Sequence, residues 1–491
     1  MKNVFLILIL VFTIIYSPIQ AEPSKNEVHS CLKKAVAYMM ETVSTNGGFV
    51  WQYSEDMSER WGEVPARPSQ IWVQGATNGV GELMLDAYHA TGDTDYLDYA
   101  KRVADAIIWG QHSSGGWHYL IDFDMPGIRT WYDEVASKCW GWEEYSHYYG
   151  NCTYDNDVTG SSVRFLLHLY MTTLNPAYRE PLLKGLDFIL ESQFPNGAWP
   201  QRYPLSHEYI KDGHPDYTSY YTFNDSVIST NIFLLVETWE LLGDERYMEA
   251  ARRGMDFYLI ARGPDSQAAW AEQYDWYMRP AWGRTYEPGA YHASRTASCI
   301  RELLKFYRIT SDRRYLDAVP QSIAWLEKSI TNTDPSRKAE RAGIMYPYTN
   351  AVYYEVATNR PVYVHREGTH LGNGRYFADY ESGDGPCHVL QVCSIDTGEL
   401  QRAYERTVLI PEEELPIQIS TSNDIAPKKP TDGQVENVIN TMDPNGSWIT
   451  ELAIQNYKEP CDISGRKVIK GISTKLFIRN VETMINHLVG K

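Results

Sequence analysis

The sequence lacks the features of several protein classes. After the first 21 residues, no apolar segment is long enough to cross a bilayer. Basic residues are scarce, since 45 Lys and Arg stand against 63 Asp and Glu, a formal net charge of −18 at pH 7. An acidic chain of this kind is a poor match for the phosphate backbone of a nucleic acid. An acidic ligand would need a local group of cations or a metal ion inside a cleft.

Cysteine is also rare, with seven residues in 491. None of their spacings resembles a zinc ribbon, and the odd number leaves one cysteine without an intramolecular partner. Cys139 with Cys152 and Cys387 with Cys393 are close enough in sequence to form disulfides, which export from the cytoplasm would permit.

Residues 1–21 have the pattern of a signal peptide. Lys2 supplies the positive start, residues 4–15 form an apolar run, and residues 19–21 form a plausible cleavage site. Glu22 follows, where a lipid-anchored protein would have a cysteine. The sequence therefore predicts a secreted or periplasmic protein.

Two local patterns alternate along the chain. In the first, a polar break is followed by a tyrosine that opens a helix. It occurs at Asp93 and Tyr96, Asn175 and Tyr178, Asp244 and Tyr247, and Asp312 and Tyr315. In the second, a turn of small residues ends in an aromatic residue. It occurs at Phe49, Trp117, Trp199, Trp270 and Trp448.

Each repeat is typical of a helix, a tight turn, a second helix and a loop that carries an aromatic residue. Helical scaffolds that bind proteins repeat every 34 to 47 residues or so, whereas the tyrosines here recur roughly every 70 to 80. The longer unit favours an enzyme with an all-α dominated fold, an α/α toroid, which is an incomplete barrel of helical hairpins. Loops gather at one end of such a ring and form a cleft.

Three segments follow the predicted signal peptide. Residues 22–340 are predicted to form the catalytic toroid. Residues 341–433 contain short strand-like runs and form a small β-rich insertion. Residues 434–491 return to a helical pattern that closes the ring.

Polar residues concentrate where the repeats predict cleft loops. Asp155-Asn156 and Asn224-Asp225 occupy equivalent positions, each just before a helix. Because Asp and Asn are preferred helix caps, capping alone is one interpretation of both pairs. Residues 270–287 form the third segment, which adds acids, aromatic residues, Arg284 and Tyr286. Together the three segments indicate a site for a uronic acid.

These motifs resemble the family 10 polysaccharide lyases, which are pectate lyases with an α/α toroid. The matching elements are Asp155-Asn156 ahead of residues 164–166, residues 194–205, residues 222–225, Trp270 with Gln273 and Asp275, and residues 284–287. They span about residues 150 to 330 of the chain.

The resemblance implies β-elimination, in which the C5 proton next to the uronate carboxylate is removed and the O4-linked sugar is expelled. It assigns the role of base to Arg284. An arginine is normally protonated, so Tyr286 is a second candidate and His292, with an ordinary pKa near 6.5, a third. A structural salt bridge from Arg284 to Glu287 or Asp275 is the non-catalytic interpretation.

The resemblance also implies Asp155 and Asp225 as ligands of calcium, a metal that prefers oxygen donors. Other side chains could bind the sugar chain. Hydrogen bonds would come from Asn156, Asn224, Gln273 and His292, and positive charge from Arg202, Arg279 and Arg295. Stacking would come from Trp199, Trp270 and Trp282, each of which could equally be a core residue.

The chain departs from the family pattern at three places that would face substrate or metal, and one of them is the Pro-to-Arg spacing near Arg284. Ser226 stands where the family has a second acid, and residues 158–162 replace a stretch rich in Thr and Gln. The substrate could therefore be pectate or another uronate polymer such as ulvan, glucuronan or alginate. A glycoside hydrolase, using Asp155 with Asp225 or Glu272 with Asp275, and a non-catalytic glycan-binding protein are the alternatives.

Overall fold

The fold consists of helical hairpins, as the computed structural model shows. It describes residues 23–124, 127–139, 145, 147–207, 216–284, 286–341, 344–367, 375–382, 390–416, 429–454 and 466–490. The predicted signal peptide, Thr285, Cys387 and Cys461 lie outside these ranges. Within them, no helix combines the length and the apolar character that crossing a membrane requires.

Inner and outer helices alternate along the chain and form an α/α toroid, as predicted. The inner helices are α2 Asn78–Thr91, α5 Val158–Thr173, α7 Val227–Leu242, α9 Ala293–Thr310, α12 Thr397–Val408 and α14 Thr474–Val489. The outer helices are α1 Lys25–Tyr38, α3 Thr94–Trp109, α6 Pro176–Glu191, α8 Glu245–Ala261, α11 Val319–Lys328 and α13 Asp432–Asn440. Two shorter helices are α4 Gly127–Glu134 and α10 Arg313–Asp317.

The last helix meets the first two and closes the ring. Lys25 Nζ donates to the carbonyl of Leu488 at 2.8 Å, and His487 Nε2 lies 3.1 Å from the carbonyl oxygen of Pro23. The residues at the two ends of the described chain are therefore neighbours in space.

The polar breaks of the first repeat pattern are helix caps, which confirms that prediction. Asp93, Asn175, Asp244 and Asp312 each accept the backbone N–H two residues further on, at the start of α3, α6, α8 and α10. Such a cap satisfies a backbone donor that would otherwise have no partner in the helix. The tyrosine that follows each cap is buried.

The second repeat pattern joins five of the six outer helices listed above to the next inner one. Trp117, Trp199, Trp270 and Trp448 are buried, and each donates its indole N–H to a carbonyl of the preceding outer helix. The turn glycine Gly197 has φ +97°, and a Cβ there would lie 1.9 Å from the carbonyl oxygen of Arg253. Glycine is therefore required where the turn meets the helix.

Short antiparallel strands connect the loops at one end of the ring. They are β1 Gln52–Ser54, β2 Arg60–Trp61, β3 Gln70–Trp72, β4 Leu120–Asp122, β5 Cys152–Thr153, β6 Arg202–Tyr203, β7 Tyr221–Thr222, β8 Gln273–Tyr274, β9 Tyr291–His292, β10 Lys338–Arg341, β11 Ile344–Pro347, β12 Asn350–Ala351, β13 Tyr353–Tyr354, β14 Pro361–Glu367, β15 Arg375–Asp379, β16 Val392–Cys393, β17 Ile449–Ile454 and β18 Lys467–Ser473. Two four-stranded sheets have the orders β17-β18-β1-β2 and β15-β14-β13-β9, and the remaining strands pair as β3-β4, β5-β6, β7-β8, β10-β11 and β12-β16.

The C-terminal third differs from the predicted segments in two ways. The predicted β-rich region 341–433 also contains α12, a helix of the ring that packs on α9 and α11. The predicted closing segment also contains the hairpin of β17 and β18, which pairs with β1. Cys139, Cys152 and Cys393 have free thiols, so the possible bond between Cys139 and Cys152 is absent.

Candidate active site

Two left-handed turns stand just before the inner helices α5 and α7. Asn156 and Asp157 have φ of 51° and 59°, and the equivalent Asp225 and Ser226 have φ of 49° and 62°. Asn and Asp tolerate this conformation better than most residues. Neither Asp157 nor Ser226, which precede the helices, makes a side-chain cap hydrogen bond. Capping therefore does not explain these residues, and the turns direct Asp155 and Asp225 toward the mouth of the ring.

These turns border a cavity of about 340 Å³. It is lined by Glu63, Tyr119, Tyr145, Asp155, Asn156, Asn224, Asp225, Arg284, Tyr286 and Glu287. Six of the residues predicted for the site are among them: Asp155, Asn156, Asn224, Asp225, Arg284 and Tyr286. The loops of three successive repeats thus meet at one point.

The guanidinium of Arg284 is surrounded by carboxylates. Its Nη2 lies 2.7 Å from Asp225 Oδ2 and 3.3 Å from Asp155 Oδ2, and its Nη1 lies 3.1 Å from Glu287 Oε1. The salt bridge to Glu287 that the sequence suggested is present, whereas Asp275 pairs with Arg279. Three acids around one buried cation stabilise its charged form.

Glu287 differs from the other acids of the cavity. Asn224 donates its amide to both carboxylate oxygens at 3.2 Å, and the backbone N–H of Arg284 donates to Oε2 at 3.0 Å. Burial raises the pKa of Glu287 to about 7, because it outweighs the positive charge of Arg284. Glu287 therefore changes charge near neutral pH.

Asp225 and Asp155 both accept hydrogen bonds from Arg284. Burial acts to raise the pKa of Asp225, but the charge of Arg284 and the hydrogen bonds from Asp155 and Arg284 together outweigh it, and the pKa lies below its usual range. Tyr119 donates its hydroxyl to Asp155 Oδ2 at 2.5 Å. With Glu63, the cavity holds four acids and one arginine, so it is acidic overall.

Three wall residues were not predicted from the sequence. Tyr145 donates to Glu63 Oε2 at 3.0 Å, and Tyr119 reaches Asp155. Tyr119 stands two positions after the turn tryptophan Trp117, but the equivalent Glu272 after Trp270 does not line the cavity, so the repeat carried no signal for Tyr119. Glu63 and Tyr145 have no counterpart in the repeat.

The predicted stacking roles of Trp199 and Trp270 are wrong. Both side chains are fully buried, with an exposed fraction of 0 %. A sugar cannot reach a ring with no exposed face. They occupy the structural position of the turn tryptophan that recurs in other repeats.

Three further predicted ligands also lie away from the cavity lining. Gln273 is buried, with its amide nitrogen 3.5 Å from Thr222 Oγ1. The buried guanidinium of Arg202 lies over the rings of Tyr119 and Tyr149, at 5.1 and 4.6 Å. Arg279 is exposed and pairs with Asp275 at 2.6 Å. The predicted direct contacts of Gln273 and Arg202 with substrate do not fit their burial.

His292 is held in a second charged cluster behind the cavity. Its Nδ1 accepts the backbone N–H of Arg295 at 3.1 Å, and its Nε2 lies 3.2 Å from Glu272 Oε1. Burial lowers the pKa of His292. Arg295 pairs with the same Glu272 at 3.0 Å. Because both ring nitrogens have partners and the ring does not line the cavity, His292 does not fit the roles of base or substrate ligand.

The oxygen donors of the cavity fit a calcium ion in part. Asp155 and Asp225 direct oxygens at one point, and the amides of Asn156 and Asn224 also line the cavity. Oxygen donors of this kind suit calcium. The guanidinium nitrogen of Arg284 now lies at that point, and no three metal-ligating side chains converge within the described ranges. Further oxygen ligands would have to come from water or substrate.

Comparison with known proteins assigns the chain to a protein family. Residues 129–374, half of the chain, match the family model described as pectic acid lyase. The comparison with curated proteins found no match.

Solved structures with similarity include the family 10 polysaccharide lyase from Cellvibrio cellulosa. It is 19% identical over 62% of this chain and 88% of its own, with a TM-score of 0.40. A mutant of that enzyme in complex with trigalaturonic acid is 18% identical over 63% and 90%, with a TM-score of 0.40. A family 76 α-mannanase from Bacteroides thetaiotaomicron is 11% identical over 96% and 97%, with a TM-score of 0.41.

The ring of hairpins and its acidic cavity thus belong to a carbohydrate-cleaving enzyme, a polysaccharide lyase. The chain is a member of the pectic acid lyase family.

Proposed function

We propose that this lyase is exported and cleaves a uronic-acid polysaccharide by β-elimination at the cavity of Arg284 and Tyr286. The observation that carries the proposal is that both residues share this cavity with Asp155 and Asp225. The matched region begins at residue 129, so Glu63 and Tyr119 complete the wall from outside it.

The reaction needs a proton acceptor and a positive charge. The C5–H proton of the uronate passes to the base, and its electron pair forms the C4=C5 double bond. The C4–O4 bond breaks, and O4 leaves with the electron pair of that bond and takes up a proton. The developing negative charge spreads onto the uronate carboxylate, so a cation at that carboxylate lowers the barrier.

Arg284 is the only cation among the lining residues that the structure describes. Its carboxylate partners stabilise the guanidinium form, which supports a role in binding and neutralising the substrate carboxylate. Tyr286 lines the same cavity two positions further along the chain. A tyrosine next to a cation is a suitable proton carrier, so we assign the proton transfer to Tyr286.

We include calcium in the proposal because the cavity carries more negative than positive side chains. A uronate would enter a cavity with four acids and one arginine, and like charges in a buried site repel. A calcium ion held by Asp155 and Asp225 would supply positive charge at the substrate carboxylate. The chain's own residues would hold that ion and orient the sugar.

The substrate class follows from the same chemistry, and we name polygalacturonate first because of the family. Ser226 and residues 158–162, where the sequence departs from the family pattern, flank the cavity residues Asn156 and Asp225. Another uronate polymer, such as ulvan, glucuronan or alginate, is therefore included. The signal-peptide pattern of residues 1–21 supports export.

One experiment tests reaction type, substrate and metal together. The purified protein is incubated with polygalacturonate, ulvan, glucuronan and alginate, each with calcium and with a chelator. We expect ultraviolet absorbance from a 4,5-unsaturated uronate with at least one polymer. New reducing ends without that absorbance would show hydrolysis, and no cleavage of any polymer would also contradict the proposal.

A further inference from the structure

A short hairpin leads from the cavity to an exposed aromatic patch. We name residues 273–281 the site hairpin. Ala281 donates its N–H to the carbonyl of Gln273, and Asp275 donates to the carbonyl of Arg279, each at 3.0 Å. The hairpin begins with β8 and continues within three residues to Arg284. Its base therefore lies behind the cavity wall, next to Glu287, and its tip carries Trp276, Tyr277 and Arg279.

Trp276 at this tip is exposed and held in place. Its exposed fraction is 42 %. Four rings meet it nearly at right angles, with centroids 5.5 to 5.9 Å away, and they belong to Phe194, His207, Tyr220 and Tyr221. A side chain fixed by its neighbours loses little conformational freedom when a ligand binds. Trp276 is thus a preorganised surface.

Two paired strands connect the patch with the cavity. In β7 and β8, Tyr221 pairs with Tyr274 and Thr222 with Gln273. Asn224 of the cavity follows Tyr221 by three residues, and Trp276 follows Gln273 by three residues. At the base, a Cβ on Gly283 would lie 2.3 Å from Gln273 Oε1 and 2.7 Å from Glu287 Oε2. The patch therefore lies at the far end of a short hairpin whose base is next to the cavity residue Glu287.

A cation accompanies the aromatic surface. The Arg279 side chain is 70% exposed and lies over the ring of Tyr277, 5.1 Å from its centroid. Its partner Asp275 also accepts the backbone N–H groups of Tyr277 and Arg279, at 2.9 and 3.0 Å. Asp275 therefore keeps hydrogen bonds when the guanidinium turns to another anion.

We propose that Trp276 and Arg279 form a distal subsite for the acidic polysaccharide as it leaves the cavity. The apolar face of a pyranose ring packs on the indole, and the uronate carboxylate pairs with Arg279. The inference rests on the proposed function, because it takes the occupant to be the polymer cleaved in the cavity. Only chains long enough to span the gap reach the subsite.

The test compares substrates of two lengths. Trp276→Ala should raise KM for the polymer about five-fold, as expected for one aromatic contact, and leave kcat unchanged. A uronate trisaccharide should be cleaved as by the wild type. Trp276→Phe, which keeps an aromatic face, should restore most of the polymer KM, and Arg279→Ala should raise it. An unchanged polymer KM in Trp276→Ala would overturn the subsite.

A matched control is Trp239→Ala. Trp239 is a half-buried tryptophan near the end of α7, at the opposite end of the ring from the site loops. It should leave both KM values unchanged. An equal rise in KM in this variant would attribute the effect to a general loss of packing and overturn the subsite.

Binding separates this inference from the proposed function. Wild type and Trp276→Ala are run through gels that contain each of the four polymers. Retardation of the wild type that is weaker in Trp276→Ala supports the subsite, even when no polymer yields an unsaturated product. Equal retardation of both proteins overturns the subsite. Failure of every gel to retard the wild type also overturns the subsite. A wild type that cleaves while Trp276→Ala behaves identically leaves the lyase proposal intact and removes only the subsite.

Discussion

Arg284 donates from Nη2 to Asp225 Oδ2 across 2.7 Å, although 59 positions separate the two residues in the chain. Arg284, in the loop that follows the hairpin of α7 and α8, thus binds Asp225, which stands just before α7. Arg284 also reaches Asp155, from the hairpin before that. Three repeats therefore supply the charged residues at the centre of the site. A substitution in any one of these repeats should alter the position of the charged groups in the other two.

Removal of the guanidinium is expected to abolish turnover. Arg284→Ala leaves three acids without their cation, so kcat should fall at least about 100-fold, and stability should fall by about 3 kcal/mol. Product absorbance and urea unfolding measure the two effects. Arg164→Ala is the control, because Arg164 also pairs with two acids, Asp157 and Glu237, but does not line the cavity. Substantial activity in Arg284→Ala would remove this site from the reaction.

The hydroxyl of Tyr286 is expected to carry the proton. Tyr286→Phe keeps the ring but should lower kcat about 100-fold with little change in KM. Tyr353→Phe is the matched control, since Tyr353 packs in the same small apolar cluster as Tyr286 and does not line the cavity. Wild-type kcat in Tyr286→Phe, with inactive Arg284→Ala, would transfer the role of base to Arg284.

Ionisation of Glu287 is expected to lower stability as the pH rises. Burial raises the pKa of Glu287 from 4.5 to about 7 in the folded protein, so the folded state binds the proton more tightly. This contribution is complete below pH 4.5 and is lost as the pH rises to about 7. The free energy of unfolding should fall by about 1–3 kcal/mol over that range, and less in Glu287→Gln. An identical pH profile in both proteins would contradict the shift.

Calcium is expected to support turnover through Asp155 and Asp225. A chelator should lower activity at least about ten-fold, because the acidic cavity then repels a uronate. Asp225→Asn and Asp155→Asn should each weaken binding of terbium(III), a luminescent substitute for calcium, in the protein without substrate. Arg284→Ala should strengthen it, since the guanidinium competes for the same oxygens. Full activity in chelator would exclude the metal.

A charged cluster inside the ring is expected to stabilise the fold without acting in catalysis. His168 on α5 lies 2.8 Å from Glu82 Oε2 and 2.9 Å from Glu237 Oε1. Burial acts to lower the pKa of His168, but its two carboxylate partners raise it to about 10. The stabilisation is complete below pH 6.5 and is lost as the pH rises through 10.

His168→Gln should therefore cost about 2 kcal/mol at pH 6 and much less at pH 10.5. Urea unfolding at the two pH values measures this difference, with kcat expected to be unchanged. An equal loss at both pH values would show that packing, and not the charge, is responsible.

The repeats made most of the ring predictable. The polar breaks at Asp93 and Asp244 mark helix starts because a carboxylate accepts backbone N–H groups that have no helical partner. Helix α12 was missed, because it is rich in charged residues and buries only Leu400 and Thr407. Closure by β17 and β18 depends on pairing with β1, about 400 residues away, which local patterns do not show.

The site was predictable where position in the repeat and chemistry agreed. Asp155, Asp225 and Arg284 meet because equivalent loops converge. Trp199 and Trp270 were misassigned because a tryptophan that recurs in four equivalent turns indicates packing, which those repeats share. Trp276, in contrast, lies at a hairpin tip and does not belong to the recurring turn pattern. Glu63 comes from outside the matched region and had no local signal.

The contact between Lys25 and Leu488 brings the two ends of the ring together. Since the last helix packs against the first, the ring can in principle begin at any hairpin. A circularly permuted gene would join residues 488 and 25 through a linker and start the chain in another loop. The permuted protein should form the same hairpins and the same cavity around Arg284.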